Sequence, residues 1–161
     1  MSDDSLIIYE AEITKIDDLL KKMLKGAEAK CTLLVDKDGH LITRQGFTHS
    51  LDTTALAALL AGSFASTKEI AKLVGEPEFS VLFHQGKKDH IHMSIVGERS
   101  ILAVIFDDRT TIGMVRLYAK ETAQELAKIF QEILERHEPS QGISNEFADM
   151  AQDKMNDIFQ D

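Results

Sequence analysis

The sequence predicts one α/β domain, an α+β sandwich in which a five-stranded antiparallel sheet carries packed helices. Three observations lead there. The apolar periodicities follow one another as α-β-β-α-β-β-β-α plus a C-terminal helix. Turn signals at Asp36-Lys37-Asp38-Gly39, Gly86-Lys87-Lys88-Asp89 and Gly97-Glu98-Arg99 join neighbouring strands as hairpins. Ser100 to Phe106 is almost wholly apolar, as a strand at the centre of a sheet must be. A chain of 161 residues corresponds to one domain.

Glu10 to about Ala27 reads as an amphipathic helix, with Ile13, Ile16, Leu19, Leu20 and Met23 at helical spacing and Gly26 near its end. Cys31 to Val35 and His40 to Arg44 form the first hairpin. Asp52, Thr53 or Thr54 caps a second helix that runs to about Val74, where Gly75 and Pro77 stop it. Phe79 to Gln85, Ile91 to Val96 and Ser100 to Phe106 are the remaining strands. A last helix is firm from Glu121 to Arg136. Its pattern extends back to Thr110 through Ile112, Val115 and Ala119, against a competing short strand over Met114 to Tyr118. Residues 1–136 therefore form the domain and 137–144, around Pro139 and Gly142, a linker. Residues 145–161 form an amphipathic acidic helix whose contacts are made by Phe147, Met150, Met155, Ile158 and Phe159.

The formal net charge is −9, and no basic stripe is present, which argues against nucleic acid. His137 to Asp161 holds six acids and one base, a polyanionic tail suited to a basic partner surface. No run of ~18 apolar residues exists, so membrane insertion is not expected. The acidic start Met1-Ser2-Asp3-Asp4 lacks a secretory pattern, and the single Cys31 cannot form an internal disulfide; the expectation is a cytoplasmic protein.

Motifs for chemistry are missing. There is no glycine-rich phosphate loop, no G-x-S-x-G elbow and no H-E-x-x-H, so neither a cofactor nor a catalytic residue is expected. The best metal candidate is His90-Ile91-His92, with His84 across the turn. Surface histidines on the polar face of a strand account for it better, and no metal is assigned. Cys31 reads as an inert core thiol.

The second helix is the most informative element. Leu56, Leu59, Leu60, Ser63, Thr67, Ile70, Ala71 and Val74 share one side, read as the core side. The other side begins with Ala57, Ala58, Ala61, Gly62 and Ala65 before Lys68, Glu69 and Lys72. Small residues on an outward face admit a partner closely and suggest a binding surface. Alanine is also a good helix former when exposed, and composition leaves both readings open.

The chain resembles the Roadblock/dynein-light-chain superfamily, in particular its bacterial MglB-type members. The resemblance rests on the order and spacing of several segments: Leu33 to Gly39, Leu51-Asp52-Thr53-Thr54-Ala55-Leu56-Ala57, Ala71 to Glu76, Ser94-Ile95-Val96-Gly97, Val104 to Thr110 and Asn156-Asp157-Ile158-Phe159. It implies a homodimer joined edge to edge through the third strand, with Phe79, Ser80, Val81, Leu82, Phe83 and His84 in the interface. It implies a Ras-like small GTPase of the MglA type as partner, one GTPase held by two copies through the second helices. Stimulated GTP hydrolysis, nucleotide exchange promoted by the C-terminal helix, and a role in polarity and surface motility of a rod-shaped bacterium, with the cell pole as a location, follow from the same resemblance. Glu69 departs from the small residue that related sequences carry there.

None of the five arginines, Arg44, Arg99, Arg109, Arg116 and Arg136, falls on the small face of the second helix. That favours an indirect mechanism over an arginine finger, with Arg109 the first to test and a structural salt bridge its expected role. Two competing readings stand beside this one. The protein is a scaffold that holds a GTPase without changing its turnover, or a metal- or ligand-sensing module using His84, His90 and His92.

Overall fold

The computed structural model describes residue 8 and residues 10–159, with side chains as far as residue 136. The elements are α1 (Glu10–Ala27), β1 (Cys31–Asp36), β2 (Leu41–Gly46), α2 (Thr53–Leu73), β3 (Val81–Gln85), β4 (His90–Val96), β5 (Ser100–Phe106) and α3 (Ile112–Phe159). The strands form one sheet in the order β2-β1-β5-β4-β3, antiparallel throughout. Ser100 to Phe106 is the middle strand and buried along its whole length, as its apolar run requires.

Strand alternation divides the core in two. Leu34, Leu102, Val104 and Phe106 point to one face, where α1 supplies Ile16, Leu20 and Met23 and α3 supplies Val115, Ala119, Leu126, Phe130 and Ile133. Cys31, Leu33, Val35, Ile101, Ala103 and Ile105 point to the other, under Ala57, Leu60, Ala61 and Phe64 of α2. The sandwich therefore has three layers, with α1 and α3 on one face and α2 alone on the other. Arg136 and Glu12 form an ion pair that ties α3 to α1.

Local signals explain most boundaries. Asp36 Oδ1 accepts from the amides of Asp38 and His40, and Gly39 takes φ 92°, which closes the first hairpin. Asp52 is the cap among the three candidates, its Oδ1 accepting from Ala55 N at 3.0 Å. At the other end of α2, Glu76 N donates to Ala71 O and Gly75 N to Lys72 O, with Gly75 at φ 81°. This is a Schellman closure.

Gly26 lies one residue from the end of α1, as expected, and the Tyr118 ring of α3 occupies the place a side chain would take there. Two expectations need correction. Met114 to Tyr118 is helical rather than a strand, because Val115 and Ala119 are one helical turn apart and both face the core. The backbone of α3 also continues through Pro139 and Gly142 to Phe159, where a linker was expected. An interior proline costs a helix one hydrogen bond and a ring clash with the preceding turn, and apolar residues at helical spacing on both sides carry the helix across it.

Candidate functional site

α2 lies over β1, β2 and β5 and turns its remaining faces outward. The face in contact with the sheet is Thr53, Ala57, Leu60, Ala61, Phe64 and Ala71. Relative to the core stripe predicted from the large apolar residues, the helix is rotated by roughly 70° at 100° per residue. Ala57 and Ala61 of the predicted binding face are buried against the sheet, because a helix that packs closely on a sheet needs small side chains at the contact. They are not surface residues. Leu59, Ile70 and Val74 of the predicted core face are exposed instead, together with Leu73.

The outward surface of α2 thus differs from the one expected. Ala58, Gly62, Ala65 and Ser66 keep its first half smooth, and a side chain added at Gly62 would meet open space. Lys68, Glu69 and Lys72 are exposed as expected, with Lys72 Nζ 3.1 Å from Glu69 Oε1. Leu59 at 69%, Ile70 at 51% and Leu73 at 86% exposure add an apolar component that the reading of the sequence assigned to the core. The pattern contains them, but periodicity alone turns them inward because large apolar residues usually are buried.

A cavity of about 240 Å³ adjoins this surface. Ala65 and Lys68 of α2, Glu78 and Phe79 before β3, and Lys37, Glu98 and Arg99 from two hairpin turns line it. It joins the C-terminal half of α2 to the start of β3.

Among the described residues β3 is an edge strand, paired with β4 alone. Its ladder covers Val81 to Gln85, and Ile95 N donates to Ser80 O at 3.0 Å just before it; Phe79, expected at the strand's start, precedes the ladder and is half-buried. Val81 and Phe83 point to the α3 face, 41% and 36% exposed, while Leu82 and His84 point to the α2 face. Phe83 stacks on Phe106 with centroids 6.0 Å apart. An apolar edge with its outer hydrogen-bonding groups open is a template for pairing with another strand.

The three histidines do not converge. His84 stands opposite Ile91 in the β3–β4 register and so faces α2, whereas His90 and His92 face α3. No group of three metal-ligating side chains occurs among the described residues. Nor are His90 and His92 surface residues, for the α3 side of β4 is covered. His90 Nδ1 accepts from Gly86 N at 3.2 Å, which assigns the ring proton to Nε2, 3.2 Å from Asp108 Oδ1. Arg109 pairs with Asp107 at 3.0 Å, and its side-chain hydrogen bond holds the Asp107 carboxyl below the usual range. The structural salt bridge expected for Arg109 is therefore present. Burial pushes the Cys31 thiol up to about 11, so it stays protonated and inert.

Phe147, Met150, Met155, Ile158 and Phe159 lie outside the residues whose side chains are described. No helix among the described residues is long and apolar enough to cross a membrane.

With this geometry in place, residues 15–106 match the model of the Roadblock/LC7 domain. The chain belongs to the Roadblock/LC7 family. The matched span runs from α1 to the end of β5 and includes both α2 and the β3 edge. The Roadblock/LC7 fold seen here is similar to that of MglB from Myxococcus xanthus, 49% identical, with a TM-score of 0.75 over 80% of this chain and 96% of that one. It is similar to the gliding protein MglB from Thermus thermophilus, at 30% identity and a TM-score of 0.75 over 80% and 97% of the two chains. A structure of MglB with a tetrameric arrangement matches at 30% identity and a TM-score of 0.76, over the same shares.

Proposed function

We propose that this Roadblock/LC7 protein is a homodimeric regulator of a bacterial Ras-like GTPase of the MglA type, which it binds through α2 and stimulates to hydrolyse GTP. The observation that carries the reading is the exposed apolar surface of α2 in a chain 49% identical to an MglB. Ala58, Gly62, Ala65, Lys68, Glu69 and Lys72 form the contact surface, with Leu59, Ile70 and Leu73 as its apolar anchors. Ala57 and Ala61 support it from beneath.

Two chains join through the open edge of β3, with Ser80, Val81, Leu82, Phe83 and His84 at the seam and Phe79 beside it. Pairing of this kind extends the sheet and sets two α2 helices side by side, so that one GTPase spans both copies. The apolar edge and the tetrameric arrangement of a similar MglB support self-association.

No arginine stands on the outward face of α2, and Arg109 is engaged by Asp107. The regulator therefore acts by reordering the GTPase's own catalytic residues rather than by inserting an arginine. Residues 145–161 form the acidic segment that promotes nucleotide exchange, with Phe147, Met150, Met155, Ile158 and Phe159 as its contacts. The cellular consequence is control of polarity and surface motility, exercised in the cytoplasm and at a cell pole.

The deciding experiment is single-turnover GTP hydrolysis by the Ras-like GTPase of the same cell, with and without this protein. Faster hydrolysis is expected. Tight binding with an unchanged rate would establish the scaffold reading instead.

A further inference from the structure

The α3 side of the sheet holds a second groove, on the opposite face from α2. In the β3–β4 register Val81 stands opposite Ser94 and Phe83 opposite His92, so these side chains share the face that α3 covers. α3 seals its inner stripe, Val115, Ala119 and Leu126, into the core. The adjoining stripe, Arg116, Lys120, Ala123 and Ala127, faces β3 and β4. Ala123 and Ala127 are short, and a cavity of about 390 Å³ remains between helix and strands.

The floor of this cavity is polar and unsatisfied. His92 is 1% exposed and Ser94 7%. Both ring nitrogens of His92 and the hydroxyl of Ser94 lack a hydrogen-bond partner among the described residues. Buried polar atoms are seldom left so unless something outside the chain completes them. At the rim, Arg116 and Lys120 are exposed, and neither forms an ion pair among the described residues. Burial and the nearby Arg116 charge lower the proton affinity of His92, so its ring is neutral, with one donor and one acceptor nitrogen.

We propose that this groove is a binding site for a small organic oxyanion, whose carboxylate or phosphate is held by Arg116 and Lys120 and whose neutral polar part meets His92 and Ser94. The two cations supply the charge recognition. The neutral imidazole and the hydroxyl suit a ligand hydroxyl or carbonyl, and Val81, Ala123 and Ala127 suit an apolar body. The volume lies within the ~300–1,000 Å³ of small-molecule sites. Two cations at the rim disfavour a metal ion. The proposal uses no residue of α2 and does not rest on the GTPase reading.

The test is titration of the full-length protein with 4-hydroxybutyrate and, separately, with glycerol 3-phosphate, following the His92 ring nitrogens and the Arg116 side chain by NMR. Saturable shifts at both residues are expected with at least one anion, and the anion that saturates identifies the headgroup. Arg116→Gln and Lys120→Gln should each weaken that binding at least about tenfold, as loss of a charge-assisted hydrogen bond does. Both positions are exposed, so the thermal midpoint should not move. Ser94→Ala should weaken binding of the hydroxyl-bearing anion and leave the fold intact. Non-saturating shifts, or saturation unchanged in Arg116→Gln, overturn the proposal. His92 signals that respond to protein dilution and to neither anion overturn it as well, since a second copy of the chain then covers the groove.

Discussion

Ala57 and Leu59 stand two residues apart on α2 with environments opposite to their size. Ala57 is fully buried against the sheet, and Leu59 is 69% exposed. The helix sits close to the sheet through the small Ala57 and Ala61, which share one buried cluster with Leu60 and Phe64. The large residues left outside have no neighbour among the described residues to bury them.

This pair makes opposite predictions for stability. Ala57→Leu should destabilise the fold by about 1–3 kcal/mol through overpacking. Leu59→Ala should stay within about 0.5 kcal/mol of the parent, as exposed substitutions do. Chemical denaturation measures both. A large loss in Leu59→Ala would place that residue in the core.

Gly62→Arg should leave the thermal midpoint unchanged or raise it slightly, since the position opens to solvent and glycine is a poor helix residue. The same variant should abolish stimulation of GTP hydrolysis by blocking close approach to α2. Full stimulation in this variant and in Ala65→Arg would remove α2 from the GTPase interface.

Arg109→Ala should retain most of the stimulation and the parent's thermal midpoint. Its partner Asp107 is two residues away, and Arg109 itself is exposed. A loss of more than about a hundredfold in the hydrolysis rate would assign Arg109 a direct role, given what a finger arginine supplies.

Val81→Glu should reduce self-association, because a charge on an edge strand opposes edge-to-edge pairing. Sedimentation velocity over a range of concentrations reads the shift toward monomer. An unchanged dimer would move the interface away from β3.

Stability should fall as pH rises from about 9 toward about 11, the span between the ordinary Cys31 value and its raised value in the fold. In that window the unfolded chain has released the thiol proton and the folded chain still holds it, so unfolding is favoured. Denaturation midpoints measured against pH should show this slope in the parent and lose part of it in Cys31→Ala.

Deleting residues 145–161 should leave a folded domain, since among the described residues the last buried member of either cluster is Ile133. Nucleotide exchange on the partner GTPase should slow. Collapse of the thermal transition on deletion would make the segment part of the core.

The sequence by itself determined the order of elements, the central place of Ser100 to Phe106, a helix cap within Asp52 to Thr54 and the stop at Gly75. Each depends on residues close together in the chain: an alternation, a short polar side chain at a helix start, a glycine that tolerates positive φ. It also carried enough order and spacing to point to the Roadblock family, and it placed the candidate surface on α2. Only the tertiary structure decided which face of α2 is surface. An alanine stripe fits a close helix–sheet contact as well as a smooth exterior, and the distance between layers, absent from any local pattern, selects between them. The same holds for the histidines. Two-residue spacing put His90 and His92 on one face, but only the β3–β4 register turned His84 to the other, and only the packing of α3 enclosed His92 with no partner for its ring among the described residues.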